Sequence, residues 1–569
     1  MRNFEIEVVN GGFAAKVASA YQTNFSLLQD RFDYPPHPME SFPLRQAWLR
    51  EALSLSMGAE KRRVLIDALT RLHRQYGADA EAYDQLERLK HGQALAVVTG
   101  QQTGLWCGPL YTIHKAVSTI RLARLAERLL ACPVVPVFWL ASEDHDYEEV
   151  RWAHLLDEEG RIRHYRLADA GPEHAPVAGR PLPRDQGLAT NGLPGTVEEL
   201  IGRLELDWLG QSPQARPAFA RETLDWLRAA AEQSQSLAEW TGRLLCSLFS
   251  RHGLVLFDPS LPEIRKISGH FLKQAAGEIS RIRAALLQGN RSLRSRGFPL
   301  QVEKEEDHLH IFRYDLEGNR RPLFQHEQSQ SELLREMELF PERFSPDVLL
   351  RPIVQDEWLP TLAYVAGPGE LGYYAQMREL YQVFGRKMPV IVPRLAATLL
   401  RPEEARLWQI WRPWIDGEGP TLERIVRAYL HHLDEARHGL VSSFGRWKQQ
   451  RLQANANWLE QLELWDGSAA KRMARILGEE NARFQAMFNY VWNRWEAEHQ
   501  ADLQGLRRLY QTLFPEGQEQ ERYLNVLPYL AEFGRAWLDE WIVSEDTPEE
   551  NVHGQHLFLK LRPVRTPSS

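Results

Sequence analysis

The sequence predicts an α/β protein: a doubly wound parallel sheet carrying insertions, followed by a long helical hairpin. Three observations point there. Five short apolar runs, each closing on glycine, proline or a charged residue, alternate with stretches of helical periodicity. Two unusual loops, Gly100-Gln-Gln-Thr-Gly104 and Glu143-Asp-His-Asp146, follow the first two runs. From Leu422 to Leu513 the apolar residues step by three or four with no strand between them.

Leu44–Leu55 and Val64–Tyr76 read as lead-in helices after the Pro35-Pro-His-Pro38 loop. Leu95–Thr99 is the first strand, and Pro109 opens a helix over about Thr112–Leu130. Pro133–Leu140 is the second strand. Residues 157–217 lose periodicity and gain glycine and proline, as an insertion does. Helix returns over Arg221–Arg251, then a third strand at Gly253–Asp258 and a helix over Ile264–Leu287. Alternation between Phe298 and Pro322 suggests strands in a second insertion. Leu359–Ala366 and Met388–Val392 complete the sheet, with Glu370–Phe384 helical between them. The boundaries expected are 1–156 for the lead-in and first part of the core, 157–220 for an insertion, 221–287 for core, 288–347 for a second insertion, 348–415 for core, 416–515 for the hairpin and 516–569 for a return to the core. Asp466-Gly-Ser468 breaks the hairpin into two helices of roughly forty residues, ~60 Å each, with Ser468 available as N-cap. Its apolar stripe fits either a dimerising coiled coil or an intramolecular bundle.

Composition narrows the partners. A chain of 569 residues with 43% apolar and 25% charged content is an ordinary globular protein of two or three domains. The net charge of −8 carries no footprint for nucleic acid. No run approaches the ~20 apolar residues of a membrane span, and the first residues lack a signal-peptide layout. Cys107, Cys132 and Cys246 cannot by themselves build a disulfide framework or a zinc site, so a cytoplasmic location is expected.

In an open α/β sheet, ligands bind outside the carboxyl ends of the strands. Gly100, Gly104 and Gly108 let backbone approach a ligand, and Gln101 and Gln102 add neutral donors and acceptors. The turn is neither a Walker A loop nor a Gly-x-Gly-x-x-Gly fingerprint. His114 could hold a phosphate or donate a proton, and Lys115 could neutralise developing charge. Glu143, Asp144, His145 and Asp146 could orient an amine or supply a base, but a contiguous run cannot all face one ion, so no metal is expected. Gln355, Asp356, Gly367, Glu370 and Tyr373 fall around the fourth strand, and Arg394, past the fifth, is a candidate anion ligand. Asp258 reads equally as a helix cap.

The blocks Thr99–Lys115, Pro136–Val150, Leu350–Gln376, Met388–Arg394 and Gln520–Leu530 resemble the BshC family, the cysteine-adding enzymes of bacillithiol biosynthesis. That resemblance implies a Rossmann-like core with connecting-peptide insertions, a C-terminal coiled coil that forms a homodimer, and the joining of L-cysteine to glucosaminyl-malate. Gly108–Lys115 also looks like the HIGH-containing start of class I aminoacyl-tRNA synthetases, with Tyr111 for the first histidine, Ile113 for the glycine and His114 for the last histidine. Isoleucine would obstruct an adenine there, and no KMSKS-like loop follows. Acylating an amine from a free carboxylate still requires activation, so ATP with Mg2+, or another activated donor, is expected, and no tightly bound cofactor. On this reading His114 and one of Asp144, His145 and Asp146 carry the chemistry, while Tyr111, Lys115 and the loop residues bind substrate or nucleotide. The competing readings are an accessory nucleotide- or thiol-binding scaffold and a sugar or nucleotidyl transferase.

Overall fold

The computed structural model describes residues 3–10, 15–53, 58–157, 159–169, 171–172, 174–184, 195–211, 216–305, 307–415, 421–437, 439–548 and 554–562. The expected hairpin start at 416 and the middle of the first insertion, 185–194, lie outside these residues. The chain divides into two compact units, one of residues 1–402 with 518–569 and one of residues 403–517.

The first unit is built on five parallel strands, labelled in chain order β1 (Leu95–Gln101), β2 (Val134–Leu140), β3 (Val255–Phe257), β4 (Thr361–Ala366) and β5 (Val390–Pro393). Their order across the sheet is β5-β4-β1-β2-β3. The chain therefore winds outward in both directions from β1, and the strand order reverses between β1 and β4. Helices cover both faces, which explains the apolar runs: Leu95 and Val97 enter one core while Ala96 and Val98 enter another.

The helix after β1, Leu110–Leu130, begins two residues earlier than expected and is buried on most of its N-terminal half. Between strand and helix the backbone is strained. Trp106 and Cys107 have φ of 53° and 73°, a region side chains with a Cβ rarely adopt. Asn525 holds this turn by donating to the carbonyls of Trp106 (3.0 Å) and Gly108 (2.8 Å). A Cβ on Gly104 would stand 3.0 Å from the Gly108 Cα, so this close approach requires glycine.

Several expected elements divide. The 221–251 stretch forms Ala220–Glu232 and Leu237–Phe249, and the 264–287 stretch forms Pro262–Gly277 and Ile279–Ser295. The hairpin Trp152–Leu156 with Ile162–Arg166 straddles the expected start of the first insertion at 157. The second contributes His308–Tyr314, paired with Arg320–Phe324 and with Phe344–Pro346. The segment from Gln518 onward rejoins the first unit, its strand Gln555–Leu561 lying between Phe4–Asn10 and Ala396–Leu400.

The second unit is helical: Leu422–Arg437, Leu440–Trp465, Gly467–Glu498 and Gln500–Leu513. The two central helices pair through rings such as Trp447 on Phe484 at 4.9 Å. Neither expected forty-residue helix is continuous. Gly439 turns left-handed at φ 59° before Leu440, and His499 interrupts the second at φ −107°. The cap at the turn is Asp466, whose carboxylate accepts from the Ser468 and Ala469 N–H groups, and not Ser468.

Candidate active site

A cavity of about 490 Å³ opens at the carboxyl ends of β1 and β4, where the strand order reverses. Its floor is a chain of buried charge. The Lys115 ammonium donates to the Gly100 carbonyl at 2.7 Å and to Gln101 Oε1 at 2.9 Å, and pairs with Glu370 Oε2 at 2.6 Å. Burial lowers the Lys115 pKa, with Glu370 opposing. Glu370 also accepts from the Gly367 N–H and the Tyr364 hydroxyl, both at 2.6 Å, which caps the helix Pro368–Tyr374. Arg351 donates to Tyr364 Oη at 3.3 Å and lies 5.5 Å from the centre of the Trp139 ring.

The end of β2 forms an acidic wall. Burial pushes the Glu143 carboxyl up to about 7, Arg320 and Arg265 hold it down, and Asp258 adds to the rise. Asp144 accepts from Gln102 Nε2 at 2.7 Å and from the His145 N–H at 2.8 Å. Arg320 comes from the second insertion. It donates to Ser345, to the Pro346 carbonyl and, at 3.3 Å, to His145 Nδ1. Burial and then Arg320 lower the His145 pKa.

Six cationic side chains (Lys115, Lys304, Arg320, Arg351, Arg394, Arg522) and four carboxylates (Glu143, Asp144, Asp347, Glu370) line the cavity. That excess of positive charge in a partly desolvated cleft suits a ligand rich in carboxylate or phosphate. His308, His310 and Asp347 form the one three-residue group of potential metal ligands among the described residues. Asp347 is already engaged there, with His310 Nδ1 at 2.8 Å and the Leu349 and Leu350 N–H groups. A smaller hollow of about 330 Å³ shares Gln101, Gln102, Tyr111 and Arg522 with the main cavity.

Behind the cavity wall, Glu521 lies 2% exposed. It accepts from both terminal nitrogens of Arg394 (2.8 and 2.6 Å), from the Ala397 N–H (3.1 Å), and contacts His114 Nδ1 at 2.9 Å. Burial alone would raise its pKa, but Arg394 and His114 hold the carboxyl well below the usual range.

The family model described as the Bacillithiol biosynthesis BshC N-terminal Rossmann-like domain matches residues 1–395, and the BshC C-terminal coiled-coil domain matches 436–561. The chain belongs to the BshC family. Relatives bearing the name "Putative cysteine ligase BshC" include those of Symbiobacterium thermophilum (32% identity over 95% of this chain and 97% of the relative), Desulforamulus reducens (29%, 94% and 96%) and Salinibacter ruber (30%, 94% and 95%).

In this BshC chain the cavity brings together Gly100, Gln101, Gln102, Tyr111, Lys115, Glu143, Asp144, His145, Gly367, Glu370, Tyr373 and Arg394. Burial pushes the Tyr111 hydroxyl up to about 12. Gly104 and Gly108 line only the adjoining hollow. Five other candidates are corrected. His114 is fully buried, held by Glu521 and set edge-on to Trp541, and reaches no cavity. Asp146 points away to cap the short helix Tyr147–Val150. Gln355 and Asp356 sit on the helix Arg351–Trp358 that leads into β4, at the opposite end of the strand from the crevice, where Asp356 pairs with Arg45. Asp258 stays behind the wall, bonded to Ser142 and Ser260. Reading by residue missed Arg320, Arg351, Tyr364, Lys304, Arg522 and Glu521. Only Arg351 left a sequence signal, as a lone charge before the apolar Pro352-Ile-Val354.

Proposed function

We propose that this chain is an enzyme of bacillithiol biosynthesis, a ligase that forms an amide between the carboxylate of L-cysteine and the amine of glucosaminyl-malate. ATP, accompanied by magnesium, supplies the activation that a free carboxylate needs. The relatives' shared name supports the cysteine ligase reading. The observation that carries the substrate class is the cationic cavity at the switch point, sized for a small polyanion. On this reading Lys115, Arg351 and Arg394 attract the malate carboxylates or the nucleotide phosphates; Glu370 and Tyr364 keep the first two in register, and Glu521 the third.

Purified protein incubated with L-cysteine, glucosaminyl-malate and ATP is expected to yield the cysteinyl amide, detected by mass spectrometry, with stoichiometric nucleotide cleavage. Absence of product from folded protein overturns the reading. Lys115→Met and Arg351→Met are each expected to lower kcat/KM at least tenfold through lost charge-assisted hydrogen bonds. A cytoplasmic location and a homodimer formed through the second unit complete the proposal. Trp465 and Tyr490, 81% and 74% exposed on that unit's helices, support the dimer. Light scattering that reports a monomer removes it.

A further inference from the structure

We infer that Glu143 is the catalytic base that removes the proton from the attacking amine, an assignment that rests on the ligase reading above. The four carboxylates of the cavity differ in what they still have to offer. Glu370 is bound by Lys115, the Tyr364 hydroxyl and the Gly367 N–H. Asp347 is bound by His310 and two backbone N–H groups. Asp144 is bound by Gln102 and the backbone of His145. Each holds structure together, and a proton placed on it would break those bonds. Glu143 is otherwise: its Oε1 meets the Tyr314 hydroxyl at the long distance of 3.4 Å and Arg265 Nε at 3.9 Å. Its Oε2 has no hydrogen-bond partner among the described residues and is not sealed from solvent. An ionised carboxylate has about four acceptor positions, so Glu143, with one long hydrogen bond, has the most capacity left for a substrate N–H.

His145, the other titratable neighbour, is oriented the wrong way for a base. Arg320 donates to its Nδ1, which places the imidazole proton on Nε2 and makes that atom a donor. Asp258 lies behind Glu143 and does not line the cavity, but its charge acts on Glu143. With burial it brings the Glu143 carboxyl to about 7 against the pull of Arg320 and Arg265, where a base is both present and strong enough near neutral pH. The step balances as follows. The amine nitrogen attacks the carbonyl carbon of the activated cysteinyl donor, an acyl phosphate or acyl adenylate formed from ATP. The C–N bond forms, the C–O bond to the phosphoryl group breaks with its electron pair, and the N–H proton passes to Glu143 Oε2.

The test uses the full chain and compares Glu143→Gln with wild type, using glucosaminyl-malate and, separately, hydroxylamine as acceptors. Hydroxylamine is largely unprotonated near neutral pH and needs little help from a base. Glu143→Gln is expected to lower kcat for amide formation by about 10²–10⁴-fold, to leave KM for glucosaminyl-malate within threefold, and to abolish the acid limb of the pH profile. Hydroxamate formation should stay within about fivefold of wild type. Glu143→Asp, which keeps a carboxylate, should retain the acid limb at a lower rate and so covers the case in which the Gln variant folds poorly. Loss of both acceptor reactions to the same extent would mark Glu143 as structural and overturn the assignment. An unchanged kcat with glucosaminyl-malate would overturn it as well. If wild type makes hydroxamate but no amide, the amine-acceptor reading fails instead, and the base assignment falls with it.

Discussion

Replacing Glu521 by glutamine asks whether the buried anchor behind the cavity is structural. The side chain is nearly isosteric, so little volume is lost, but the charge opposing Arg394 disappears. Arg394 is 2% exposed, and Glu521 takes both of its terminal nitrogens. The glutamine amide can accept at one atom only, so at least one Arg394 N–H, or the His114 contact, faces a donor. Adding up the lost bonds singly would overcount, because they act as one unit. Removing one partner of a buried pair costs about 3–5 kcal/mol, and that is the expected loss in urea denaturation followed by fluorescence and circular dichroism together. The pH dependence has a definite sign. The folded carboxyl is held below its ordinary 4.5, so an unfolded chain takes up the proton first. The stabilisation is complete above that value and is lost as pH falls through the folded pKa. The gap between wild type and Glu521→Gln should therefore narrow steadily on acidification below about pH 4.5. A gap smaller than 1 kcal/mol at neutral pH, or one independent of pH, would refute the reasoning.

Three further outcomes are expected. His114→Leu should destabilise by about 1–3 kcal/mol, because the buried Glu521 carboxylate loses a partner, while kcat stays within fivefold; a fall of a hundredfold at unchanged stability would return His114 to the chemistry. Asn525→Ala should cost about 2–3 kcal/mol by releasing the carbonyls of Trp106 and Gly108 that fix the left-handed turn; a melting temperature equal to wild type would contradict this. Cys107 is wholly buried with its thiol pKa raised by burial, so a thiol reagent should label the half-buried Cys132 first in native protein. Peptide mapping that finds Cys107 labelled first would be the contrary result.

What the sequence makes legible follows from which forces are local. The five core strands are buried on both faces, so each becomes an apolar run ended by glycine, proline or charge, and their carboxyl ends mark the crevice. Burial of a polar residue is not local. Nothing around Tyr111-Thr-Ile-His114 tells which side of the helix meets the cavity, because the deciding partners, Glu521 and Trp541, come from more than four hundred residues away. Arg320 opens the second strand of a local hairpin with His308–Tyr314, but its contact with His145 spans 175 residues, which no spacing encodes. The breaks at Gly439 and His499 are local in conformation, yet the apolar stripe runs straight across both, so periodicity alone reads one long helix.

The Gly108–Lys115 segment shows where likeness of sequence stops being likeness of role. In the synthetase pattern, the positions held here by Ile113 and His114 would face nucleotide. In this fold Ile113 is 1% exposed within the hydrophobic core, and His114 is turned onto Glu521. Lys115, the next residue, is the one that reaches the cavity, drawn there by Gly100 and Glu370. One residue is about 100° of helix, enough to hand the chemistry from the histidine to its neighbour. The obstruction a side chain at 113 would offer to an adenine therefore never arises at the cavity. A nucleotide entering the site would meet Lys115, Gln101 and the Gly367–Glu370 turn, and an Ile113→Gly variant should lose stability through the cavity it leaves in the core without gaining affinity for ATP.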